Sequence, residues 1–386
     1  MFERDIIIIG GGPSGLSTAL HIARDFPALV PRVLILEKAR YPRFKLCAGG
    51  LVFDAEIILQ RLGLDVSEVP HVDVDQIHFD FQAKGLKVRV PGRHALRVIR
   101  RDEFDNWLAE KAKSRRIEIR DGVTVKSILP AEDGVKVVTD RESFRASVVV
   151  GADGSNGITR RCILPAAPVH TARVLEILTP VQSPSPAREG LGTVAYFDFL
   201  PVPENIAGYV WDFPTQVEGE ARRCWGIYDT NILASGQRPP LKEPLARQMS
   251  RSGVSLDGYE INGHPIRWFS PENPMSAPRV LLVGDAAGAD PLFGEGISIA
   301  LGYGALAAQE IGRAFRRRDF TFSGYKSRVL RSALGRTLIA RWILTHIIYP
   351  IKWKWFQILL WRIMKPFVIL VAWLFVLNWG KRLSSS

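Results

Sequence analysis

The stretch Asp5-Ile6-Ile7-Ile8-Ile9-Gly10-Gly11-Gly12-Pro13-Ser14-Gly15 decides the fold. Four consecutive isoleucines make a strand that is apolar on both faces. Such strands belong in sheets covered on both sides, as in doubly wound α/β folds. Gly10, Gly12 and Gly15 fit G-x-G-x-x-G, and Leu16 to Ala23 continue with helical character. Gly10 allows a tight turn. Gly12 lets the backbone approach a pyrophosphate, which meets the N-terminus of the helix opened by Pro13, Ser14 and Gly15. A second apolar strand, Val33 to Leu36, ends at Glu37. That acid lies roughly 20 residues past the motif, where a carboxylate accepts hydrogen bonds from a ribose. An ordinary glycine turn would need neither the flanking strands nor the acid. At this point NAD and FAD both remain open.

Working outward, three more segments bear on the cofactor. Arg101-Asp102-Glu103-Phe104-Asp105 heads an amphipathic helix with Trp107, Leu108 and Ala112. Val148 to Val150 run into Gly151-Ala152-Asp153-Gly154, and Val280 to Val283 run into Gly284-Asp285-Ala286-Ala287. In this order the segments resemble the p-hydroxybenzoate-hydroxylase-type flavoproteins over residues 3–312. The resemblance implies bound FAD, with Asp285 on the ribityl chain and Arg101 against the cofactor. Gly157 stands where that family often has serine. The plain alternative for Arg101 and Asp153 is a solvated surface ion pair.

Tyr41-Pro42-Arg43-Phe44-Lys45-Leu46-Cys47-Ala48-Gly49-Gly50-Leu51 resembles the Pro-Arg-x-Lys-x-Cys-x-Gly-Gly signature of the geranylgeranyl reductase family. Tyr209-Val210-Trp211-Asp212-Phe213-Pro214 resembles its substrate-cavity element, so Tyr209, Trp211, Phe213 and Pro214 are the implied substrate residues. Pro291-Leu292-Phe293-Gly294-Glu295-Gly296-Ile297 resembles its Pro-x-x-Gly-Gly-Gly-Ile loop, with Glu295 in place of a glycine. The resemblance implies FAD contacts at Gly10, Gly12, Pro13, Ser14, Gly15, Glu37, Cys47, Ala48, Gly50, Arg101, Val125, Asp285, Pro291, Gly294, Gly296 and Ile297. Cys47 reads either as a small buried residue beside the cofactor or as a thiol that donates a proton or positions substrate. Trp211 and Phe213 read either as cavity wall or as sheet core.

The implied activity is saturation of isoprenoid double bonds in a prenyl lipid, a geranylgeranyl-type chain or a quinone tail, by hydride from reduced FAD. The donor would be transiently bound NAD(P)H or reduced ferredoxin, since no second dinucleotide motif is present. Alternatives are a flavin monooxygenase or epoxidase acting on a membrane lipid, and a flavoprotein passing electrons to a quinone. A halogenase fits less well, because Trp353-Lys354-Trp355 lacks the Ile-Pro of the Trp-x-Trp-x-Ile-Pro motif.

The linear order predicts an α/β fold with interleaved domains. Residues 1–75, 96–165 and 272–330 form a Rossmann-type FAD-binding domain. Residues 76–95 and 166–271 form an antiparallel β-sheet substrate domain. In the latter, His78 to Gln82 and Leu86 to Val90 flank Ala83-Lys84-Gly85 as a hairpin. Gln182 to Pro186 and Gln237 to Pro240 read as loops.

Composition sets the outer bounds. The 386 residues are 47% hydrophobic and 23% charged, which excludes disordered and collagen-like chains. Cys47, Cys162 and Cys224 make neither a disulfide framework nor a zinc pattern, so no metal is expected. The chain runs from Met1 straight into a strand pattern, and a reducing cytoplasmic setting is expected. Residues 313–386 hold 15 Lys or Arg against one acid, Asp319, whereas residues 1–312 hold 36 bases and 38 acids. A nearly neutral body argues against a nucleic-acid partner.

Residues 331–386 carry 9 bases, no acid and six of the ten Trp. The uncharged run Pro366 to Gly380 is too short to span a bilayer comfortably. Interfacial helices on the cytoplasmic side of a membrane are expected, with a spanning helix or a helix buried on the body as alternatives. A possible electron-donor protein completes the expected partners.

Overall fold

The computed structural model describes residues 2–131, 133–167, 169–181, 193–233 and 238–383. The isoleucine run is the heart of the strand Phe2–Ile9, which pairs in parallel with Val33–Glu37 on one side and Ser143–Gly151 on the other. Glu118–Asp121 and Val280–Leu282 extend the parallel set outward. The order across this sheet is 276–277, 280–282, 143–151, 2–9, 33–37, 118–121, with an antiparallel flap of Val125–Ala131 and Gly134–Thr139. Ile6 to Ile8 are fully buried because helices cover one face and the flap covers the other. The helix Pro13–Asp25 packs against Ile297–Arg317. Gly304 makes that closeness possible: a Cβ there would meet Ser17 Oγ at 2.5 Å.

A second sheet of seven strands runs 262–267, 171–180, 220–229, 208–217, 194–198, 76–81, 84–89. It is antiparallel except where Val194–Asp198 lies parallel to Gln76–Phe81, so the expectation of a wholly antiparallel sheet is corrected at one pair. The hairpin turn is also corrected. It is Gln82-Ala83, with φ of 56° and 59°, and Lys84 and Gly85 already belong to the next strand. Two positive φ values make the primed turn whose twist suits a two-residue hairpin. The Gly85 that suggested a turn sits opposite Asp80, where a Cβ would stand 1.9 Å from the Phe79 carbonyl oxygen. A third sheet of 50–51, 96–99 and 71–74 was not expected and joins the two larger ones. The expected loop Gln182 to Pro186 and the residue Gln237 lie outside the described residues, while Arg238 to Pro240 are irregular.

The C-terminal segment is a chain of short helices: Tyr325–Arg331, Ala333–Ile348, Lys354–Ile358, Lys365–Val371 and Trp379–Arg382, with wider turns at Leu359–Ile363 and Ala372–Val376. No single described helix is long and apolar enough to cross a membrane. The pair Lys354–Ile363 and Lys365–Arg382, bent by 79°, passes that test together. One side of the tail is sealed into the body. Trp379 is fully buried over Gly302, and the Asp54 carboxylate accepts the Asn378 and Gly380 amides at 3.1 and 2.7 Å. Its other side leaves Trp353, Phe367 and Trp373 more than half exposed.

Candidate active site

Between the two large sheets lies a cavity of about 1450 Å³, bounded by the glycine loop at one end and by the tail at the other. At the glycine end, Gly10 has φ +104°, and a Cβ would lie 2.3 Å from the Ala152 carbonyl oxygen. Gly12 caps the following helix with extended backbone and no side-chain partner, so the helix start is left open to the cavity. A Cβ on Gly12 would stand 3.4 Å from Arg43 Nη2 and 3.9 Å from Arg101 Nη2. Two guanidiniums therefore face the spot where the backbone can approach an anion.

Asp105 holds both arginines. It accepts two hydrogen bonds of 2.8 Å from Arg101 and pairs with Arg43 at 3.0 Å. Burial works against the Arg101 charge, but Asp105 outweighs it and holds the guanidinium charged. Arg101 is thus a buried anchor and no surface ion pair. Arg43 Nε is buried without a hydrogen-bond partner. Asp153 is likewise internal: its Oδ2 accepts the Thr159 amide and hydroxyl at 2.8 and 2.9 Å and caps the short helix Ile158–Ile163.

Glu37 accepts the Gly11 amide at 2.8 Å and the Ala39 amide at 3.0 Å, which fixes the carboxylate at the cavity wall with lone pairs to spare. Asp285 accepts Ser155 Oγ at 3.1 Å. An anion-ready helix start, two guanidiniums and two positioned carboxylates fit a dinucleotide with its ribose and polyol.

Of the expected residues, Gly10, Gly12, Pro13, Ser14, Glu37, Cys47, Ala48, Gly50, Arg101, Val125, Asp285, Gly294, Gly296, Ile297, Tyr209, Trp211 and Phe213 line this cavity. Gly15, Pro291 and Pro214 do not. Gly15 packs against the strand, since a Cβ would lie 2.0 Å from the Gly10 carbonyl oxygen. The Pro291 carbonyl is turned to the Tyr228 hydroxyl at 3.0 Å. Pro214 points to the opposite face from Phe213, as strand alternation requires.

The Arg43 to Gly50 segment forms the middle wall. Lys45 Nζ and His264 Nε2 are 2.6 Å apart. Burial lowers the Lys45 pKa, and burial brings His264 down to about 4. Burial raises the Cys47 thiol above its ordinary value, so it stays protonated, and its sulfur accepts the Gly49 amide at 3.4 Å. On the opposite side, Asp290 accepts the Leu292 and Phe293 amides and pairs with Arg341 Nη1 at 2.7 Å. Glu295 accepts the Ser298 amide at 2.8 Å and the Ser298 hydroxyl at 2.6 Å, with Arg341 at 3.5 Å. The acid that replaces a glycine is therefore turned to its own helix start and to the tail.

The far end is built on one register row of the seven-stranded sheet. Leu86, Phe79, Phe197, Trp211, Gly226, Glu176 and Asn262 are successive cross-strand partners. A Cβ on Gly226 would stand 2.0 Å from Trp211 Cζ2, so the indole lies across the glycine toward Glu176. From Trp211 the row is aromatic and apolar out to Leu86. There the tail closes it: Trp361 stacks at 4.1 Å on Phe199 and 5.8 Å on Phe79, and Arg362 donates to the Phe81 carbonyl at 2.6 Å. Tail residues Leu344, Ile348, Leu360, Met364 and Val368 also face the cavity. Sequence reading missed this wall and missed Arg43, Glu176 and His264 as lining residues. The signal for Glu176 was available: it is the one acid in the alternating set Ala172, Val174, Glu176, Leu178.

Residues 3–302 match the family model described as an FAD binding domain. The chain is 28% identical over 345 residues to an uncharacterized protein of Methanosarcina barkeri, covering 89% of this chain and 83% of that one. It is 26% identical over 376 residues to the digeranylgeranylglycerophospholipid reductase of Thermoplasma volcanium, covering 88% and 86%. In fold it is similar to a geranylgeranyl bacteriochlorophyll reductase-like protein of Thermoplasma acidophilum, with a TM-score of 0.78 at 21% identity, covering 99% and 98%.

Proposed function

As a member of the FAD-binding-domain family the chain is an FAD-dependent oxidoreductase, and we propose that it saturates isolated double bonds in the prenyl chain of a membrane lipid. The observation that carries this reading is the aromatic, tail-closed half of the cavity. A cavity of about 1450 Å³ exceeds the several hundred Å³ usual for one small ligand, and the half beyond Trp211 carries apolar side chains. The relatedness to a digeranylgeranylglycerophospholipid reductase supports the same substrate class.

FAD, when bound, supplies the hydride. Gly12, Arg43 and Arg101 would hold its diphosphate, Glu37 its ribose and Asp285 its polyol. Tyr209, Trp211, Phe213 and Phe197 present ring faces that orient a chain and exclude water. The Tyr209 hydroxyl is tied to the Phe293 carbonyl, which braces the wall against the Asp290–Ile297 loop. Arg341 joins that loop to the tail, so the cofactor side and the lipid side share one buried ion pair.

The exposed Trp353, Trp355, Phe367 and Trp373, flanked by Lys352, Lys354, Lys365, Lys381 and Arg382, suit apolar insertion and attraction to anionic headgroups. We place the protein at the cytoplasmic face of a membrane, held from one side. The reductant is a nicotinamide or an iron–sulfur protein that visits the cofactor. The test is anaerobic. Holoenzyme with chemically reduced flavin is mixed with a panel of prenyl lipids, and products are weighed. Flavin reoxidation with a gain of two hydrogens per double bond is expected. Reoxidation only with oxygen, and a product that gains oxygen, would replace this reading with the monooxygenase.

A further inference from the structure

Saturating a double bond adds a hydride to one carbon and a proton to the other. The hydride comes from the reduced flavin, which is left oxidised. The proton source must lie on the cavity wall and be labile near neutral pH. Resting on the prenyl-reductase reading above, we propose that Glu176 is the general acid, giving its proton to the alkene carbon and being left as a carboxylate that solvent reprotonates.

Geometry selects this residue. Six carboxyls line the cavity among the described residues: Glu37, Asp54, Asp153, Glu176, Asp285 and Glu295. All six have an oxygen that accepts a hydrogen bond, from Gly11, Asn378, Thr159, Ser155, Ser298 or, for Glu176, the Cys47 amide. A second oxygen that is buried with no hydrogen-bond partner is found on Asp153 (Oδ1) and on Glu176 (Oε2); Asp153 is fixed at the start of helix Ile158–Ile163, whereas Glu176, only 5% exposed, belongs to the aromatic row. It occupies the register position where the aromatic half of the row ends, with Trp211 laid toward it across Gly226. Beyond it, Asn262, His264 and the Lys45–Cys47 segment begin the polar half. Along this row, Glu176 is therefore the first carboxyl beyond Phe197 and Trp211.

The other proton carriers are less suited. The Tyr209 and Tyr228 hydroxyls already donate to backbone carbonyls, and burial raises both far above the usual phenol range. Burial raises Cys47 as well, and His264 is neutral at pH 7. For Glu176, burial dominates and brings the carboxyl up to about 7. The groups facing it are the Cys47 amide and thiol, the Cys224 thiol, Arg100 and Lys45, and the two cations only partly offset the burial. A pKa near the working pH is where general acids are most effective.

The test uses FAD-loaded wild type and Glu176→Gln, which keeps the shape and removes the transferable proton. Each is reduced anaerobically and mixed with a detergent-dispersed prenyl alcohol. Flavin reoxidation is expected to slow at least about 100-fold in the variant, with FAD retention and substrate affinity unchanged. The fall of the wild-type rate as pH rises through neutrality should be absent from the residual activity. A second readout needs no turnover: the infrared carbonyl stretch of a protonated carboxyl near pH 6 should vanish in the variant. Wild-type reoxidation rates in Glu176→Gln, or no such band in the wild type, would overturn the role of Glu176 alone. Failure of the wild type on every prenyl lipid would overturn the substrate reading and the role with it.

Discussion

The two ends of the cavity are built by opposite strategies. The glycine end is local. Gly10, Gly12, Glu37 and Arg43 all lie in the first 43 residues, joined only by Arg101 and Asp105 from the head of one later helix, and each makes its contact through backbone or through Asp105. The aromatic end is assembled from afar. Phe79, Phe197, Trp211 and Trp361 come from four separate segments and meet only because strand register and tail packing bring them together. On the proposed function, cofactor recognition tolerates change in the tail only as far as the fold survives it, whereas substrate recognition depends on the tail directly.

The largest effect should come from removing the tail. Truncation after Asp319 deletes Tyr325, Val329, Leu334, Leu338 and Trp379 from the main core, so the shortened chain is expected to lose cooperative unfolding, read by near-ultraviolet circular dichroism. A soluble truncated form with full FAD content would show that the two ends are independent after all.

Arg341→Met is the next sharper cut. It leaves Asp290 and Glu295 buried without their cation, and a destabilisation of about 3–5 kcal/mol is expected in urea unfolding. Burial already raises the Glu295 pKa against the pull of Arg341, so the loss should be smaller in acid than at neutral pH.

Glu176→Gln should do the reverse and stabilise. The folded carboxyl titrates near 7, above its ordinary 4.5. A group shifted upward contributes stability below its unfolded pKa and loses it as pH rises through the folded value. Wild type should therefore weaken relative to the variant between about pH 4.5 and 7, by up to about 3 kcal/mol. Burial also raises Asp198 to about 6, but that group is common to both proteins and cancels. A flat difference across this range would remove the raised carboxyl.

Asp285→Ala, at the glycine end, should lower FAD occupancy while leaving the fold intact, because its side-chain partner Ser155 retains a bond to the Arg267 amide. Absorbance at the flavin band against protein checks this. Full retention would remove the polyol role. Smallest should be the effect of salt on vesicle binding: apolar insertion by Trp353, Phe367 and Trp373 is expected to hold the protein where salt screens the lysines. Release by salt alone would make charge the main attraction.

Legibility in sequence follows the same division. Ile6 to Gly15 and Glu37 could be read because one short segment carries the strand, the turn and the acid. The seven-stranded sheet was legible as a strand-rich stretch, but its parallel pair was not, since alternation in Val194–Asp198 carries no direction. Gly85 misplaced a turn because a glycine needed for close strand approach looks the same as one needed for positive φ. The tail was the least legible part. Its basic, Trp-rich composition concealed that Trp361, Trp379 and Arg341 are buried, each by a partner hundreds of residues away or in another element.

On the proposed function, the tail forms the far wall of a prenyl-chain cavity. Anaerobic single-turnover reoxidation of reduced holoenzyme with prenyl alcohols of increasing length, in wild type and Trp361→Ala, tests this. The wild-type rate is expected to rise with chain length until the chain reaches Phe79 and Trp361. The variant, once shown to be folded and FAD-loaded, should lose that gain for long chains and keep its rate on short ones. Identical length dependence in both proteins would contradict the claim.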